Sequence, residues 1–246
     1  MKRYKRRIGI IVVSIVLFIF IVLGILIIDK IIHVNSLFVD SYEVQGIDVS
    51  HYQGEIDWQT MQKYSFDFVF IKATEGSQHV DENFSKNWAG ASNTNMKIGA
   101  YHFFSFDSPA KEQVENFIHT VGDLSGKLAP VVDIEYYGEK EKTPPEISDV
   151  HSDLKTMLTE LENRYRIKPI LYTTYKVYRR YIEGHFDEYP LWIRNVYYPP
   201  FDIDADWKFW QFSDSEALDG YKGQEKYIDR NVFCGTEEEL EKYICH

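Results

Sequence analysis

Apolar residues recur along the chain in runs that are short and nearly continuous. The runs are rich in β-branched and aromatic residues, which is typical of strands that are buried on both faces. Polar or turn-forming residues separate one run from the next. The pattern predicts eight strands, within residues 42–50, 66–76, 97–106, 127–137, 168–175, 190–198, 207–213 and 226–233.

Between several of these strands the apolar positions change to helical spacing. The predicted helices cover residues 57–64, 82–93, 109–121, 146–166 and 175–182, with Ser108 as the N-cap of the third. Strands that alternate with helices indicate a parallel sheet. Residues 195–206 look like a loop between two strands. We therefore expect an irregular (β/α) barrel that resembles a TIM barrel and is least regular in its later half.

The N-terminus has a different pattern. Five basic residues lie within the first seven positions, and residues 8–28 are 21 uncharged, mostly apolar residues. About 20 such residues cross a bilayer as a helix, and the basic end stays in the cytoplasm. We expect a basic cytoplasmic tail at 1–7, a membrane anchor at 8–28, a linker at 29–43 and an extracytoplasmic domain at 44–246. A cleaved signal peptide is the alternative, and it also exports the domain.

Net charge narrows the range of partners. Residues 31–246 contain 21 basic and 37 acidic residues, a net charge of −16 with neutral histidines. Nucleic-acid binding requires Lys and Arg to neutralise phosphates, so a nucleic-acid partner is not expected. A neutral or cationic polymer suits the domain better. The sequence indicates membrane contact through the N-terminal helix and does not identify a protein partner.

The two cysteines, Cys234 and Cys245, lie on either side of a predicted helix. Thr236 and Glu239 have the spacing of a capping box at its start. A helix of this length would hold the cysteine backbones about 15 Å apart, beyond disulfide reach. We expect two separate thiols. Ligand spacing for a metal is lacking, so we expect neither a metal site nor a cofactor.

Asp133 and Glu135 stand at the end of the apolar run 129–138. Residues two positions apart on a strand point to the same face, about 6–7 Å apart. The C-terminal ends of barrel strands form the active-site face, and two nearby carboxylates disfavour each other's ionisation. Burial of such a pair is costly, which favours a functional role over a structural one.

Two further acids, Asp48 and Asp229, occupy comparable positions in their strands. Asp48 also suits the cap of a following helix, and Asp229 suits an ion pair with the adjacent Arg230. These alternatives remain open at the level of sequence. We expect the four acids to converge at one mouth of the barrel.

Several motifs together resemble glycoside hydrolase family 25, the CH-type lysozymes or N-acetylmuramidases. The resemblance covers about residues 44–243 and keeps the family's motif order. The motifs are "GIDVSHYQGEIDW" (46–58), "FVFIKATEG" (68–76), "IGAYHFF" (98–104), "PVVDIE" (130–135), "LYTT" (171–174), "LWIRNV" (191–196), "WQFS" (210–213) and "IDRNVF" (228–233). One departure is Arg194, where a small residue is expected.

The resemblance implies hydrolysis of peptidoglycan at the β-1,4 bond between N-acetylmuramic acid and N-acetylglucosamine. It makes Glu135 the general acid and base, and it gives Asp133 the role of assisting the substrate's acetamido group. Asp48 and Asp229 correspond to acids that position the sugar. Crowded carboxyls suit this chemistry because one stays protonated while another is ionised.

Four aromatic residues at strand ends are candidates for stacking on sugar rings. Packing in the core is the alternative for each of them. These candidates are Tyr101, Tyr172, Trp192 and Trp210. Two other functions also remain open: a non-catalytic glycan-binding or scaffold protein on the same fold, and a metal-dependent hydrolase with the acids as ligands.

Overall fold

The computed structural model describes residues 2–29 and 32–246. Met1, Lys30 and Ile31, which belong to the predicted tail and linker, lie outside the described residues. Within 32–246, eight strands close into a barrel, because the first strand pairs with both the second and the eighth. The predicted barrel is confirmed. Its strands are β1 (Val44–Val49), β2 (Phe68–Glu75), β3 (Lys97–Phe103), β4 (Val131–Ile134), β5 (Ile170–Thr174), β6 (Leu191–Arg194), β7 (Trp207–Glu216) and β8 (Ile228–Phe233).

Strands β1 to β7 pair in parallel with their chain neighbours, as predicted. The expectation of a parallel sheet is wrong for β8, which is antiparallel to both β7 and β1. A parallel pair needs a long crossover, whereas residues 217–227 form only turns and the two-residue strand Tyr221–Lys222. The start of β8 therefore lies at the same rim of the barrel as the end of β1.

The predicted helices are observed, with shorter ends. The described α-helices are α1 (Lys2–Ile28), α2 (Ser36–Val39), α3 (Trp58–Met61), α4 (Phe84–Ala91), α5 (Ala110–Val121), α6 (Ile147–Tyr165), α7 (Tyr175–Val177) and α8 (Glu237–Leu240). A 3-10 turn, Gln62–Tyr64, continues α3, and a π-helical turn, Tyr178–Ile182, continues α7. The N-cap assigned to Ser108 is wrong, because α5 begins after an extended Pro109. The Ser108 carbonyl instead accepts a bond from the Gln113 side chain at 2.8 Å. Residues 195–206 contain neither helix nor strand, as predicted.

Two apolar cores lie on either side of the barrel wall. The inner core is largely aromatic and includes Phe68, Phe70 and Phe209. A Cβ on Gly46 would come within 2.5 Å of the Phe68 ring, so the glycine leaves room for this aromatic side chain in the inner core. The outer core lies between the wall and the helices, and it contains Val132 and Ile134 of β4. Because strand residues alternate in direction, Asp133 between them faces the barrel interior.

Part of the predicted linker packs on the barrel. Asn35 is 1% exposed, and its amide donates to the carbonyls of Asn195 at 2.9 Å and Phe212 at 2.7 Å. The ring of Tyr42 lies 6.2 Å from that of Trp207. The segment 35–42 is therefore part of the folded domain.

Helix α1 contains a stretch, Gly9–Ile28, that is long and apolar enough to cross a membrane, with a mean hydropathy of 3.6 and no buried share. At the other end of the chain, Thr236 and Glu239 form the predicted capping box of α8. Cys234 is exposed and Cys245 is buried, and both are free thiols, as predicted.

Candidate active site

The four candidate acids converge at one rim of the barrel. Asp133 is the third residue of β4 and Glu135 follows its last residue, while Asp48 pairs in register with Asp229 across β1 and β8. The antiparallel direction of β8 brings Asp229 to this rim. A cavity of about 80 Å³ is lined by all four acids together with Tyr101, Tyr172, Trp192 and Gln211.

Asp48 is held by two side-chain amides. Its Oδ2 accepts a bond of 2.9 Å from Gln211 and one of 2.8 Å from Asn231. Burial raises the pKa of Asp48, and the two amides oppose that rise because they stabilise the charged form. The capping role left open by the sequence belongs to Ser50, whose side chain caps the turn His51–Gln53. Asp48 is thus a fixed carboxylate in the cavity.

Asp133 has a different environment. It is 7% exposed, and its Oδ1 accepts no hydrogen bond from the residues that the structure describes. Burial raises the pKa of Asp133 well above its usual range, and the nearby Glu135 raises it further. The folded chain therefore does little to stabilise a negative charge on Asp133, and this carboxyl retains its proton at higher pH than a solvated one.

Glu135 is half-buried at the meeting point of three hollows in the rim. Burial raises its pKa, and the positive charges of Arg194 and Lys72 oppose that rise. A carboxyl with a raised pKa next to other acids is suited to donate a proton near neutral pH.

Asp229 does not form the ion pair with Arg230 that its sequence allows. The Arg230 guanidinium bonds to Glu216 at 3.2 Å and to Gln45 at 2.9 Å. Burial raises the pKa of Asp229 well above its usual range, and the Asp48 carboxylate raises it further. Asp48 and Asp229 therefore disfavour each other's ionisation.

Two cations face the acids. Arg194 Nη2 bonds to Asp214 at 2.6 Å, and its charge opposes the raised pKa values of Asp48, Glu135 and Asp229. Lys72 is 7% exposed, and its Nζ bonds to Glu75 at 2.7 Å. Sequence reasoning did not place Lys72 at the site, and it singled out Arg194 only as a departure from the motif.

Three of the four candidate aromatic residues line the cavity. The Tyr172 hydroxyl donates to Gln211 at 2.9 Å, and the Trp192 indole donates to Asn231 at 2.9 Å. These two rings therefore fix the amides that hold Asp48. Tyr101 completes this side of the cavity.

The structure does not bring Trp210 to the cavity. This residue is 0% exposed in the outer core, and its indole donates to the Asn195 carbonyl at 2.8 Å. Its position alternates with that of Gln211, which faces inward. Trp210 therefore packs in the core, which is the alternative that the sequence left open for it.

A groove extends from the cavity in two directions. One arm is a cleft of about 500 Å³, lined by Glu135, Arg194 and the tyrosines 136, 175, 197 and 198. The other arm has about 190 Å³ and includes Tyr52, Lys72 and Phe103. Sequence reasoning missed these tyrosines, although the pairs 136–137 and 197–198 lie within four residues of a strand end. A groove open on both sides of Glu135 is suited to an extended chain molecule.

Residues 47–221 match the glycosyl hydrolases family 25. The structure is similar to a family 25 glycosyl hydrolase from Bacillus anthracis, with 48% identity, a TM-score of 0.78 and coverage of 83% of this chain and 94% of that one. It is also similar to a bacterial lysozyme from Streptomyces coelicolor, with 29% identity, a TM-score of 0.71 and coverage of 82% and 96%. Lysozyme M1 of Streptomyces globisporus is 29% identical over 218 residues, which cover 80% of this chain and 70% of that protein. The chain therefore belongs to glycosyl hydrolases family 25 and is a glycoside hydrolase.

Proposed function

We propose that this protein is a membrane-anchored N-acetylmuramidase. It hydrolyses the β-1,4 bond between N-acetylmuramic acid and N-acetylglucosamine in peptidoglycan. The observation that carries the proposal is the convergence of four acids in a groove that is open on both sides of Glu135. Membership of the family and the lysozymes among the similar proteins support a peptidoglycan substrate.

Glu135 is the general acid. It gives its proton to the glycosidic oxygen as the bond to the anomeric carbon breaks, and the leaving sugar departs with a free hydroxyl. Asp133 and Glu135 come from one strand end, so neither lies naturally on the opposite face of the sugar ring. The acetamido oxygen of the muramic acid residue therefore serves as the nucleophile, as in known substrate-assisted hydrolases. Water, deprotonated by Glu135, then opens the cyclic intermediate.

Asp133 assists the acetamido group. The N–H of that group is a donor, and Asp133 Oδ1 accepts no bond from the described part of the chain. A donor from the substrate stabilises the charged form of Asp133 and lowers its pKa. The proton of the coupled pair then resides on Glu135, where the reaction uses it. Substrate binding thus sets the protonation state that catalysis requires.

Asp48 and Asp229 position the sugar and limit the charge of the cluster, while Tyr101, Tyr172 and Trp192 supply apolar surface in the cavity. Sugar rings present C–H faces that pack on aromatic rings. Helix α1 anchors the protein, with residues 1–7 in the cytoplasm and the catalytic domain outside. Its length and mean hydropathy support the span, and the basic residues before it support the orientation.

The test uses the detergent-solubilised full chain with purified peptidoglycan. Mass spectrometry should find muropeptides that end in reducing N-acetylmuramic acid, whereas unchanged glycan would support the alternative of a non-catalytic glycan-binding protein. Proton NMR of the first-formed product should show the β-anomer, because substrate assistance retains configuration. Early α-anomer would instead indicate that Asp48 or Asp229 activates a water across the ring.

A further inference from the structure

A group of exposed apolar side chains lies at and beyond the edge of the groove. Leu37 is 80% exposed and Phe38 44% exposed on α2, and Phe201 is 76% exposed in the loop 195–206. The ring of Tyr198, which is 38% exposed, lies 5.7 Å from that of Phe201. We call these four residues the apolar face. A patch of neighbouring exposed apolar residues on a soluble domain marks a site of contact with a protein, a ligand or a membrane.

The two parts of the apolar face are held next to each other. Asn35, one residue before α2, donates to the Asn195 carbonyl at the start of the loop. The Asn195 side chain in turn accepts bonds from the backbone N–H groups of Tyr197 at 3.1 Å and Tyr198 at 3.3 Å. Val39 closes α2 against the outer core. The apolar face is therefore fixed to the barrel and is not part of a loose tether.

The apolar face also lies close to the membrane helix. Ile28 ends α1 and Asn35 is seven residues further on. A chain of that length spans at most about 25 Å even when it is fully extended. Ile32 N–H bonds back to the Leu26 carbonyl at 3.0 Å, so Ile32 lies beside the end of α1. A bilayer that holds α1 therefore lies within reach of α2.

We propose that the apolar face rests on the surface of the bilayer that α1 spans. This inference rests on the membrane anchor of the proposed function. Apolar and aromatic side chains such as Leu37, Phe201 and Tyr198 are suited to the membrane–water interface. The loop also carries Asp202, Asp204 and Asp206, which disfavour an anionic surface. The partner is therefore an interface of zwitterionic headgroups.

The docked arrangement fixes the direction of the groove. Tyr197 and Tyr198 line the large cleft beside Glu135, and Tyr198 also belongs to the apolar face. The cleft therefore opens next to the membrane. Glycan strands closest to the membrane reach it first, which makes them the preferred substrate within the wall.

The test measures the depth of a label in the full chain, reconstituted in phosphatidylcholine nanodiscs. Cys234 is changed to Ser, and the buried Cys245 is left in place. An environment-sensitive fluorophore is attached to Phe201→Cys, or to Ser125→Cys as the matched control. Ser125 is exposed and lies at the opposite end of the barrel, where neighbouring Gly126 N–H bonds to the Cys245 carbonyl. Both sites are exposed, so neither change threatens the fold.

Spin-labelled lipid should quench the label at position 201 at least twofold more than the label at 125, with a blue shift only at 201. Equal quenching at the two sites in lipid-bound protein would overturn the docking while leaving the anchor intact. A chain that elutes without lipid would overturn the docking and the anchor together. Glycan hydrolysis in detergent is unaffected by either result, so it tests the enzymatic proposal separately.

Discussion

Asp48 and Asp133 show how neighbouring atoms give two carboxyls of one cavity different properties. Two amides donate to Asp48, whereas Asp133 Oδ1 accepts nothing from the described residues. The sequence identified both acids, because an acid in an apolar strand is conspicuous. It did not identify Gln211 and Asn231, since a polar residue in an alternating strand looks the same whether it faces solvent or a buried carboxylate.

Replacement of Glu135 by Gln should lower the hydrolysis rate by about 10²–10⁴-fold, because the amide keeps the shape but cannot donate the proton. Release of reducing ends from peptidoglycan measures the rate, and thermal unfolding checks the fold. Glu139→Gln is the matched control, since Glu139 lies in the following loop with its side chain 78% exposed. Activity of Glu135→Gln close to that of the control would mean that another group donates the proton.

Replacement of Asp133 by Asn should raise the melting temperature at pH 7 while abolishing most activity. The pKa of Asp133 is higher in the folded chain than in the unfolded chain, so the folded state binds more protons. Stability therefore falls as the pH rises from the unfolded pKa to the folded pKa of this carboxyl. Each unit of elevation costs about 1.4 kcal/mol at neutral pH. The amide removes that cost.

The stabilising effect should vanish near pH 3, below the unfolded pKa, where Asp133 is protonated in both states. Calorimetry at pH 3 and pH 7 measures the difference. Glu160→Gln, at an exposed position of α6, is the control and should leave the melting temperature unchanged at both pH values. A gain for Asp133→Asn that is equal at both pH values would contradict the assigned cause.

Replacement of Arg194 by Gln should move the alkaline limb of the pH–activity profile to higher pH. The guanidinium lowers the pKa of Glu135, so its loss raises the pKa of the proton donor. The alkaline limb of the kcat/KM profile, where Glu135 loses its proton, therefore shifts upward. Arg194→Lys keeps a positive charge and should restore most of the original profile, whereas a lower rate without a shift would indicate a purely structural role.

At the scale of elements, strand direction decides where Asp229 lies. The sequence predicted β8 from its composition, but the direction of a strand depends on its connection and on its pairing partners. Residues 217–227 have no helical spacing of apolar positions, and this feature of the sequence already argued against a helical crossover before β8. The segment 35–42 was missed for a related reason. Its contacts with Asn195, Trp207 and Phe212 are all distant in the chain, so local sequence reveals none of them.

Replacement of Asn35 by Ala should destabilise the domain by about 1–3 kcal/mol, because two buried carbonyls each lose a donor. Asn35 lies outside the matched family region 47–221, so family membership alone does not predict this loss. Denaturant unfolding of the detergent-solubilised chain measures it. Leu37→Ala is the control, since Leu37 is 80% exposed. Equal stability of the two variants would contradict the packing role of Asn35.

At the scale of the whole molecule, the pattern of apolar runs predicted the barrel because every strand is buried on both faces. The two arms of the groove were not predictable, because their shapes depend on how loops lie. The larger arm depends on the loops 136–146 and 195–206, and the smaller arm depends on residues 50–53 and Glu225. The proposed orientation across the membrane rests only on the basic residues and the apolar span, which are visible in the sequence.

Protease added to spheroplasts should therefore digest residues 44–246 and leave a short stub in the membrane. A folded barrel partly resists proteolysis, so the digestion is carried out with and without mild denaturant. An antibody against the domain and a label at the N-terminus follow the two parts. Protection of the domain in intact spheroplasts, with digestion after lysis, would reverse the assigned topology.

Closure of the barrel also determines when the enzyme becomes active. Asp48 and the Asn231 amide that binds it are 183 residues apart in the chain. The barrel floor is sealed by bonds from Ala129 N–H to the Tyr243 carbonyl and from Cys245 N–H to the Lys127 carbonyl. In a chain that is exported from its N-terminus, β1 emerges before β8, so the acids cannot assemble until β8 has emerged. With the exported topology that we propose, hydrolytic activity would begin only after translocation of the whole domain, and the groove would be completed outside the cytoplasm.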